Sequence, residues 1–289
     1  MSNKNLKAAY HNKRDEFYTR YKDIEAELKH YEKQFVNKTI YCNCDFHWTS
    51  QFVNYFIVNF DRLKLKKLIA TGYTTTLGHY YDYSHKGVTV RKLHGNGDFR
   101  REESIALLHE ADIVVSNPPF SLFREYIAQL EEHNKRYLFV GSLNAVAYPK
   151  TFELFKKERA WLGVTSPKAF TVPDEYRPFY ATDKTGSVKF GNIEWFTNLH
   201  HKKREDLIPM RCQYKLFDYP KYDNYSVQGA GAIEVSRVID IPYNYRGRMG
   251  VPITFLKKHN SHQFQLLDLQ KTLRVRGRMK YARIIIRHV

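Results

Sequence analysis

Long hydrophobic runs are missing from this 289-residue chain, and its apolar stretches are no longer than a strand. A membrane-spanning helix needs about 18 consecutive apolar residues, so the sequence predicts no membrane partner. The first residues, Met1 to Asn5, contain no apolar segment of the kind that directs secretion. These absences favour a cytoplasmic location. Disorder is excluded for the opposite reason, since 43% of the residues are hydrophobic and 15% are aromatic.

Cysteine is scarce, with only Cys42, Cys44 and Cys212 in the chain. Three cysteines cannot build a disulfide framework. Cys42 and Cys44 are two residues apart, rather than three as in a CxxC pair, so zinc is not indicated either. The 13 histidines do not alter this interpretation, because the adjacent His200 and His201 would point to opposite sides of a strand. We therefore expect no metal.

Acidic residues are too few to balance the basic ones. Lys and Arg number 47 against 30 Asp and Glu, which gives a net charge of +17 and a pI near 9.6. An excess of this size favours a polyanionic partner such as nucleic acid. The alternative is a solvated basic surface that keeps the protein soluble.

Helix-like and strand-like periodicities alternate over the first two-thirds of the chain. Strands that alternate with helices indicate right-handed βαβ crossovers, and hence an α/β fold with a mostly parallel central sheet. Helices are predicted at 22–35, 52–63 and 123–130, and strands at 39–44, 67–71, 88–93, 111–116 and 137–141.

The sequence changes character after about residue 200, where Tyr, Pro, Gly and Asn become frequent and helical periodicity fades. We expect two domains, a catalytic one at 1–200 and an irregular basic one at 201–289. The second is predicted to end in a basic β-hairpin, formed by 273–276, a turn at Gly277 and 281–287. The basic side chains of this hairpin either contact the phosphates of a partner or form an ordinary basic strand surface. The basic segment 202–204 either contacts phosphates or is a solvated loop. The candidates for phosphate contact are Lys202, Lys203, Arg204, Arg274, Arg276, Arg278 and Lys280.

The most specific motif is Asn117-Pro118-Pro119-Phe120, which directly follows a predicted strand and precedes a helix. Ligands bind at this end of strands in open α/β sheets. The Asn117 side chain and the Pro118 carbonyl offer two acceptors for the hydrogens of an exocyclic amine, whose lone pair is otherwise delocalised into its ring. Two prolines hold those acceptors in place, and Phe120 offers a flat face to the base. The alternative is a rigid loop whose prolines only end the strand.

Several further segments occur in a characteristic order along the chain. They are Asp15-Glu-Phe-Tyr-Thr, Tyr41-Cys-Asn-Cys-Asp, Lys67-Leu-Ile-Ala-Thr, Asn117-Pro-Pro-Phe-Ser-Leu-Phe, Trp195-Phe-Thr-Asn-Leu, Met249-Gly-Val-Pro-Ile-Thr-Phe-Leu and Lys280-Tyr-Ala-Arg-Ile-Ile-Ile-Arg. With these segments the chain resembles the EcoRI-type adenine-specific DNA methyltransferases, which use S-adenosylmethionine, and the resemblance runs nearly end to end. It implies a Rossmann-like class I methyltransferase fold and N6-methylation of an adenine that is rotated out of duplex DNA.

The resemblance also implies roles for single residues. Asp98 matches the residue that accepts a hydrogen bond from the cofactor's adenine amine, with a turn or cap residue as the alternative. Phe120 and either Trp195 or, preferably, Phe196 would hold the flipped base between their rings, although both residues of the pair could equally be core. The chain departs from the family's glycine-rich pattern, since no glycine lies between Thr39 and Tyr55. The implied cofactor contacts are Phe17, Tyr18, Thr19, Asp45, Ser50, Phe52, Asp98, Phe99 and Asn117.

Other functions remain open at this point. The same loop serves enzymes that methylate cytosine N4, an RNA adenine or a protein glutamine amide, although the basic tail argues against a protein substrate. A non-catalytic DNA-binding protein on the same fold is an alternative of another class. The resemblance implies a bacterial or phage-encoded enzyme, double-stranded DNA as partner and, in some systems, a cognate restriction endonuclease. The oligomeric state cannot be predicted.

Overall fold

The computed structural model describes residues 17–172, 177, 182–184 and 186–289. These residues form two compact units: the first contains the described residues up to Ser142 and Gly163–His201, and the second contains Leu143–Leu162 and Lys202–Val289. The segment 143–162, which we had placed in the catalytic domain, therefore groups with the C-terminal region. No helix among the described residues combines the length and apolarity needed to cross a membrane.

The first unit has five helices and ten strands among its described residues. The helices are α1 (Tyr21–Leu28), α2 (Glu32–Phe35), α3 (Gln51–Val58), α4 (Glu102–Glu110) and α5 (Phe123–Glu132). The strands are β1 (Tyr18–Thr19), β2 (Thr39–Cys42), β3 (Lys67–Gly72), β4 (His79–Ser84), β5 (Gly87–Lys92), β6 (Ile113–Ser116), β7 (Arg136–Ser142), β9 (Phe170–Thr171), β10 (Ser187–Val188) and β11 (Ile193–Thr197). Helices thus alternate with strands, which confirms the predicted α/β class.

Seven strands of this unit lie side by side in the order β5-β4-β3-β2-β6-β7-β11. The four central strands, β3, β2, β6 and β7, are parallel, with Tyr41 opposite both Ile69 and Val114. These strands are buried on both faces, as expected when helices cover a parallel sheet. A separate three-stranded sheet joins β9 to β1 and β10.

Two sequence predictions in this unit need correction. The strand predicted at 88–93 is β5, an antiparallel edge strand paired with β4, because a two-residue link after Ser84 is too short for a parallel crossover. The helix predicted at 22–35 is interrupted after Leu28. There the backbone hydrogen bonds join residues three apart instead of four, as between the Tyr31 N–H and the Leu28 carbonyl. The Tyr31 side chain is buried.

The second unit is built around a four-stranded sheet in the order β12-β13-β17-β14. Its elements are α6 (Pro149–Lys156), β8 (Trp161–Leu162), β12 (Ala232–Glu234), β13 (Arg248–Pro252), β14 (Phe264–Gln270), β15 (Arg274–Val275), β16 (Arg278–Met279) and β17 (Arg283–His288). Helix α6 packs against β14. The unit thus draws on two separate stretches of the chain.

The predicted terminal hairpin is only partly present. Strand β15 pairs with β16, whereas the segment after Tyr281 forms β17, which lies between β13 and β14. The apolar side chains Ile284–Ile286 explain this difference, since they are fully buried in the sheet and would be exposed in an isolated hairpin. The second strand of the hairpin is therefore Arg278–Met279, and the chain ends in a central sheet strand.

Candidate active site

A cavity of about 460 Å³ lies in the first unit at the carboxyl ends of three parallel strands. The chain enters its wall at Asn43 after β2, at Tyr73 after β3 and at Asn117 after β6. This is the edge where open α/β sheets bind ligands. The described residues around the cavity are Phe17, Tyr18, Asn43, Cys44, Asp45, Phe46, Thr49, Ser50, Tyr73, Gly97, Asp98, Phe99, Arg100, Asn117, Pro119, Ser121 and Leu122.

Asn117 is held in one orientation by two contacts. Its side-chain Nδ2 donates to the backbone carbonyl of Phe17, and its backbone N–H donates to Asp45 Oδ2 at 3.3 Å. A carbonyl oxygen can only accept, so the amide nitrogen must face Phe17 and the amide oxygen must point elsewhere. The sequence predicted that Asn117 and Phe17 both belong to the site. The structure adds that the Phe17 carbonyl orients the Asn117 side-chain amide.

Asp45 joins the loop after β2 to the loop after β6. Its buried carboxylate accepts hydrogen bonds from Ser50 Oγ at 2.7 Å and from Ser116 Oγ at 2.5 Å. Ser116 Oγ in turn accepts from the Cys44 N–H at 3.0 Å. Burial raises the pKa of the Asp45 carboxyl above its ordinary value, while its hydrogen bonds act in the opposite direction.

Ser50 is also the N-cap residue of α3. As the residue that caps this helix, it accepts hydrogen bonds from the backbone N–H groups of Phe52 and Val53 at 3.1 and 3.4 Å. Such a cap satisfies donors that a helix leaves free at its first turn. Ser50 and Thr49 line the cavity, whereas Phe52 is buried behind it and packs edge-on against Trp195. Contact of Phe52 with a cofactor stays a prediction.

The segment 97–100 forms another wall of the cavity. Gly97 has a φ of +80°, and a Cβ there would lie 2.3 Å from the Gly72 carbonyl oxygen, so only glycine fits. Asp98 accepts from Arg100 Nε at 2.9 Å and from an Arg100 terminal nitrogen at 2.7 Å. These hydrogen bonds lower the pKa of Asp98, which is therefore ionised at neutral pH. Phe99 lies beside it and packs edge-on against Tyr126.

Two of the N-terminal motif residues, Tyr18 and Thr19, form β1 of the small sheet, and Phe17 directly precedes it. Phe17 and Tyr18 line the cavity, and Phe17 packs edge-on against Phe190 with ring centroids 4.7 Å apart. Thr19 is buried beside Phe170 in the strand pairing, and its hydroxyl has no hydrogen-bond partner among the described residues. The residues Asp15 and Glu16 of this motif lie outside the described residues.

The rest of the Asn-Pro-Pro-Phe loop divides between the cavity wall and the protein interior. Pro119 lines the cavity, Pro118 is buried, and Phe120 starts a short 3₁₀ turn, Phe120–Leu122. The Phe120 ring is 9% exposed and lies 6.2 Å from the Phe17 ring. Its face is therefore covered in this conformation, and stacking on a base stays a prediction.

Trp195 and Phe196 point to opposite sides of β11, as strand alternation requires. Trp195 packs against Phe52, and Phe196 lies over Gly141 and beside the ring of Phe123. Both are fully buried and neither lines the cavity. Trp195 belongs to the same core cluster as Phe120, whereas Phe196 packs against Phe123 and Phe139. Base stacking by either residue stays a prediction.

The candidate DNA contacts all lie in the second unit. Lys202 is exposed, and Lys203 is partly exposed beside it. The Arg204 guanidinium instead lies 3.7 Å from the centre of the Trp161 ring and 3.2 Å from Glu158. This charge is engaged within the unit, which does not favour the predicted phosphate contact.

The other candidates form the β15–β16 hairpin. Arg274, Arg276 and Arg278 are exposed, whereas Lys280 lies 3.8 Å from the buried carboxylate of Glu234. No three His, Cys, Asp or Glu side chains of the described residues come together as a metal site would require.

Comparison with known proteins identifies the family of the chain. A family model for the adenine-specific methyltransferase EcoRI matches residues 5–87 and 79–289 of the chain. The protein belongs to this EcoRI methyltransferase family. The match covers both structural units, so the family includes the basic C-terminal region as well as the cavity.

Individual relatives agree with this membership. The Type II methyltransferase M.EcoRI of Escherichia coli is 41% identical over 99% of this chain and 97% of its own length. M.MgeORF184P of Mycoplasma genitalium is 40% identical over 89% of this chain and 83% of its own, and M.MpnI of Mycoplasma pneumoniae is 39% identical over 89% and 82%. No solved structure matches the chain significantly.

Sequence reasoning missed part of the wall that the EcoRI-family protein builds around its cavity. Asn43 is held by Tyr126, whose hydroxyl donates to Asn43 Oδ1 at 2.6 Å. Tyr73 follows β3 directly, at the carboxyl end of that strand. Each of these positions follows a parallel strand, and that placement would have identified them. The other residues missed are Cys44, Phe46, Thr49, Gly97, Arg100, Ser121 and Leu122.

Proposed function

We propose that this EcoRI-family enzyme transfers a methyl group from S-adenosylmethionine to N6 of an adenine in double-stranded DNA. The observation that carries the proposal is the fixed Asn117 amide, whose nitrogen is held by the Phe17 carbonyl at the wall of the cavity. We further propose that the first unit is a Rossmann-like class I methyltransferase domain and that 201–289 recognises the target.

The cavity fits S-adenosylmethionine in size and in chemistry. Its volume lies within the range of small-molecule sites, and the tight packing of Gly97 on Gly72 sets the position of Asp98 in its wall. The ionised Asp98 would accept from the adenine amine of the cofactor. Phe17, Tyr18 and Ser50 would contact the rest of it. When bound, S-adenosylmethionine supplies a methyl group already activated by its sulfonium.

The chain itself prepares the target amine. With Nδ2 bound to Phe17, the Asn117 oxygen accepts one amino hydrogen, and the Pro118 carbonyl accepts the other. This drives the amine nitrogen toward a tetrahedral geometry and concentrates its lone pair. The prolines fix the loop in advance, so little reorganisation is needed during the reaction. No strong base is required, because the amine proton becomes acidic as nitrogen forms its new bond.

Two further features support a DNA substrate. The net charge of +17 favours a polyanion, and the arginines of the β15–β16 hairpin are exposed. Because a duplex hides the adenine amine in its stack, the base must rotate out before Asn117 can reach it. We infer that the enzyme is encoded by a bacterium or a phage and acts in the cytoplasm. There it would protect DNA sites from a cognate endonuclease.

The alternatives differ in their support. Methylation of cytosine N4, an RNA adenine or a protein glutamine uses the same loop, but membership of an adenine-specific family favours adenine. A non-catalytic DNA-binding protein would have no need of an oriented Asn117 beside a cavity of this size.

Nucleoside analysis tests the proposal directly. Unmethylated genomic DNA is incubated with the protein and S-adenosylmethionine and is then digested to nucleosides. Mass spectrometry identifies the methylated nucleosides. We expect N6-methyladenine with the wild type and with Asn54→Ala, an exposed control on α3. Asn117→Ala should lower the single-turnover rate by roughly 100- to 1,000-fold, the effect of removing one preorganised partner, with DNA affinity retained. N4-methylcytosine would overturn the choice of base, and no methylated nucleoside at all would overturn DNA methylation.

A further inference from the structure

The arginine hairpin, Leu273–Lys280, contains the paired strands β15 and β16 and three exposed arginines. Strands β15 and β16 are joined by Arg276 and Gly277, whose φ angles are 49° and 73°. Positive φ at both central residues is the geometry of the tight two-residue turn that matches the twist of a β-ribbon. The hairpin is therefore a regular two-stranded ribbon rather than an irregular loop.

Two polar side chains hold the ribbon in place. The Asp223 carboxylate accepts from the backbone N–H groups of Arg276 and Gly277 at 3.1 and 2.7 Å. Asn224 Oδ1 accepts from the Arg274 N–H at 2.8 Å, and Asn224 Nδ2 donates to the Thr272 carbonyl at 2.9 Å. The turn is thus fixed in advance, and a partner that binds it incurs little ordering cost.

The ribbon has an inner and an outer face. Leu273 and Val275 are buried in a core cluster with Tyr222 and Ile285, which anchors the inner face. Arg274 and Met279 lie directly opposite each other in the pairing, on the other face from Val275. Both are exposed, Met279 by 63%. A cation and an apolar side chain therefore form an adjacent pair that points outward.

The arginines of the hairpin keep their charge available. Among the described residues, no carboxylate forms an ion pair with the side chain of Arg274, Arg276 or Arg278, and the Asp223 carboxylate at the turn contacts backbone N–H groups. Lys280 differs, because it lies 3.8 Å from Glu234 within the unit. The hairpin therefore presents three exposed guanidinium groups that form no ion pair within the described part of the chain.

We propose that the arginine hairpin enters the major groove of the target duplex, where Arg274 and Met279 read base edges and Arg276 and Arg278 contact phosphates. The assignment rests on the proposed function. The major groove of B-DNA admits a two-stranded ribbon, whereas that of an RNA helix is too narrow. The methionine side chain forms no favourable contact with a phosphate, but it can pack against the methyl group of a thymine. The arginine beside it can donate two hydrogen bonds to the edge of a neighbouring guanine.

Selection of bound duplexes from a random library tests this assignment independently of methyl transfer. Wild-type protein should enrich one sequence motif. Arg274→Lys keeps the charge but loses the planar fork, so we expect an unchanged salt dependence and a loss of about 5- to 150-fold in discrimination at one base pair. Met279→Ala should relax a second position. Arg276→Ala should leave the motif intact and lower the salt slope by about one. Arg237→Ala, exposed elsewhere in the unit, is the control.

Each outcome has a distinct meaning. An unchanged motif in both Arg274→Lys and Met279→Ala would overturn base reading by the hairpin, as would a wild type that enriches no motif. An unchanged salt slope in Arg276→Ala would overturn the phosphate contact. Enrichment of a motif without any N6-methyladenine would instead refute the proposed function and leave the hairpin assignment in force. Circular dichroism spectra of the variants should match the wild type, because all four altered side chains are exposed.

Discussion

Replacing Gly97 by alanine tests how the cavity wall is built. The new methyl group would lie 2.3 Å from the carbonyl oxygen of Gly72 and 3.2 Å from Cα of Gly78, and both obstacles are backbone atoms that cannot rotate away. The φ of +80° adds the cost of a left-handed conformation, about 1–2 kcal/mol. Overpacking adds about 1–3 kcal/mol. The free energy of unfolding should therefore fall by about 2–5 kcal/mol.

The same change should weaken ligand binding, because the displaced backbone carries Asp98. We expect Gly97→Ala to bind S-adenosylmethionine at least about tenfold more weakly, which corresponds to about 1.4 kcal/mol. Urea denaturation measures the stability and titration calorimetry measures the affinity. Gly95→Ala is the matched control, since nothing lies within 4 Å of a Cβ at that position and its φ is not positive. That variant should differ from the wild type by no more than about 1 kcal/mol.

Two results would refute this reasoning. If Gly97→Ala is as stable as Gly95→Ala, the close approach of Gly97 to Gly72 is not present in solution. If Gly97→Ala is destabilised but binds S-adenosylmethionine with unchanged affinity, the segment 97–100 is not part of the cofactor site.

Two further predictions concern charged groups. Hydrogen bonds from Arg100 lower the pKa of Asp98, so its stabilising contribution is complete above the unfolded pKa of about 3.9 and is lost as the pH falls through the folded pKa. The stability difference between wild type and Asp98→Asn, measured by denaturation from pH 7 to 3, should shrink below about pH 4; a constant difference would contradict the ion pair. Arg204→Ala should cost about 1 kcal/mol of stability by removing the contact with Trp161, and DNA affinity should stay nearer to wild type than in Lys202→Ala.

The parts of the fold that sequence predicted well are those fixed by local pattern. Buried apolar runs located β2, β3, β6 and β7, because a strand covered on both faces has few alternatives. The Asn117 loop was located for a similar reason, since a strand end followed by two prolines leaves the chain little freedom. These elements contain much of the candidate site.

The parts that sequence did not predict depend on distant partners. The hydrogen bond from Asn117 to Phe17 spans 100 positions, and no local pattern encodes it. Strand β4 was missed because the polar residues His79, Asp82 and Ser84 interrupt its apolar pattern, and its place between β3 and β5 depends on pairing with both strands. Arg204 looked like a phosphate contact because its partner Trp161 lies 43 positions earlier.

The path of the chain between the two units bears on how such an enzyme can be re-engineered. The second unit takes Leu143–Leu162 from the middle of the sequence and Lys202–Val289 from its end. A chimera that exchanges only the C-terminal segment between relatives would separate helix α6 from the strand β14 on which it packs. On the proposed role of the second unit in target recognition, transplanting a specificity requires moving both segments together, with junctions near residues 142, 163 and 202.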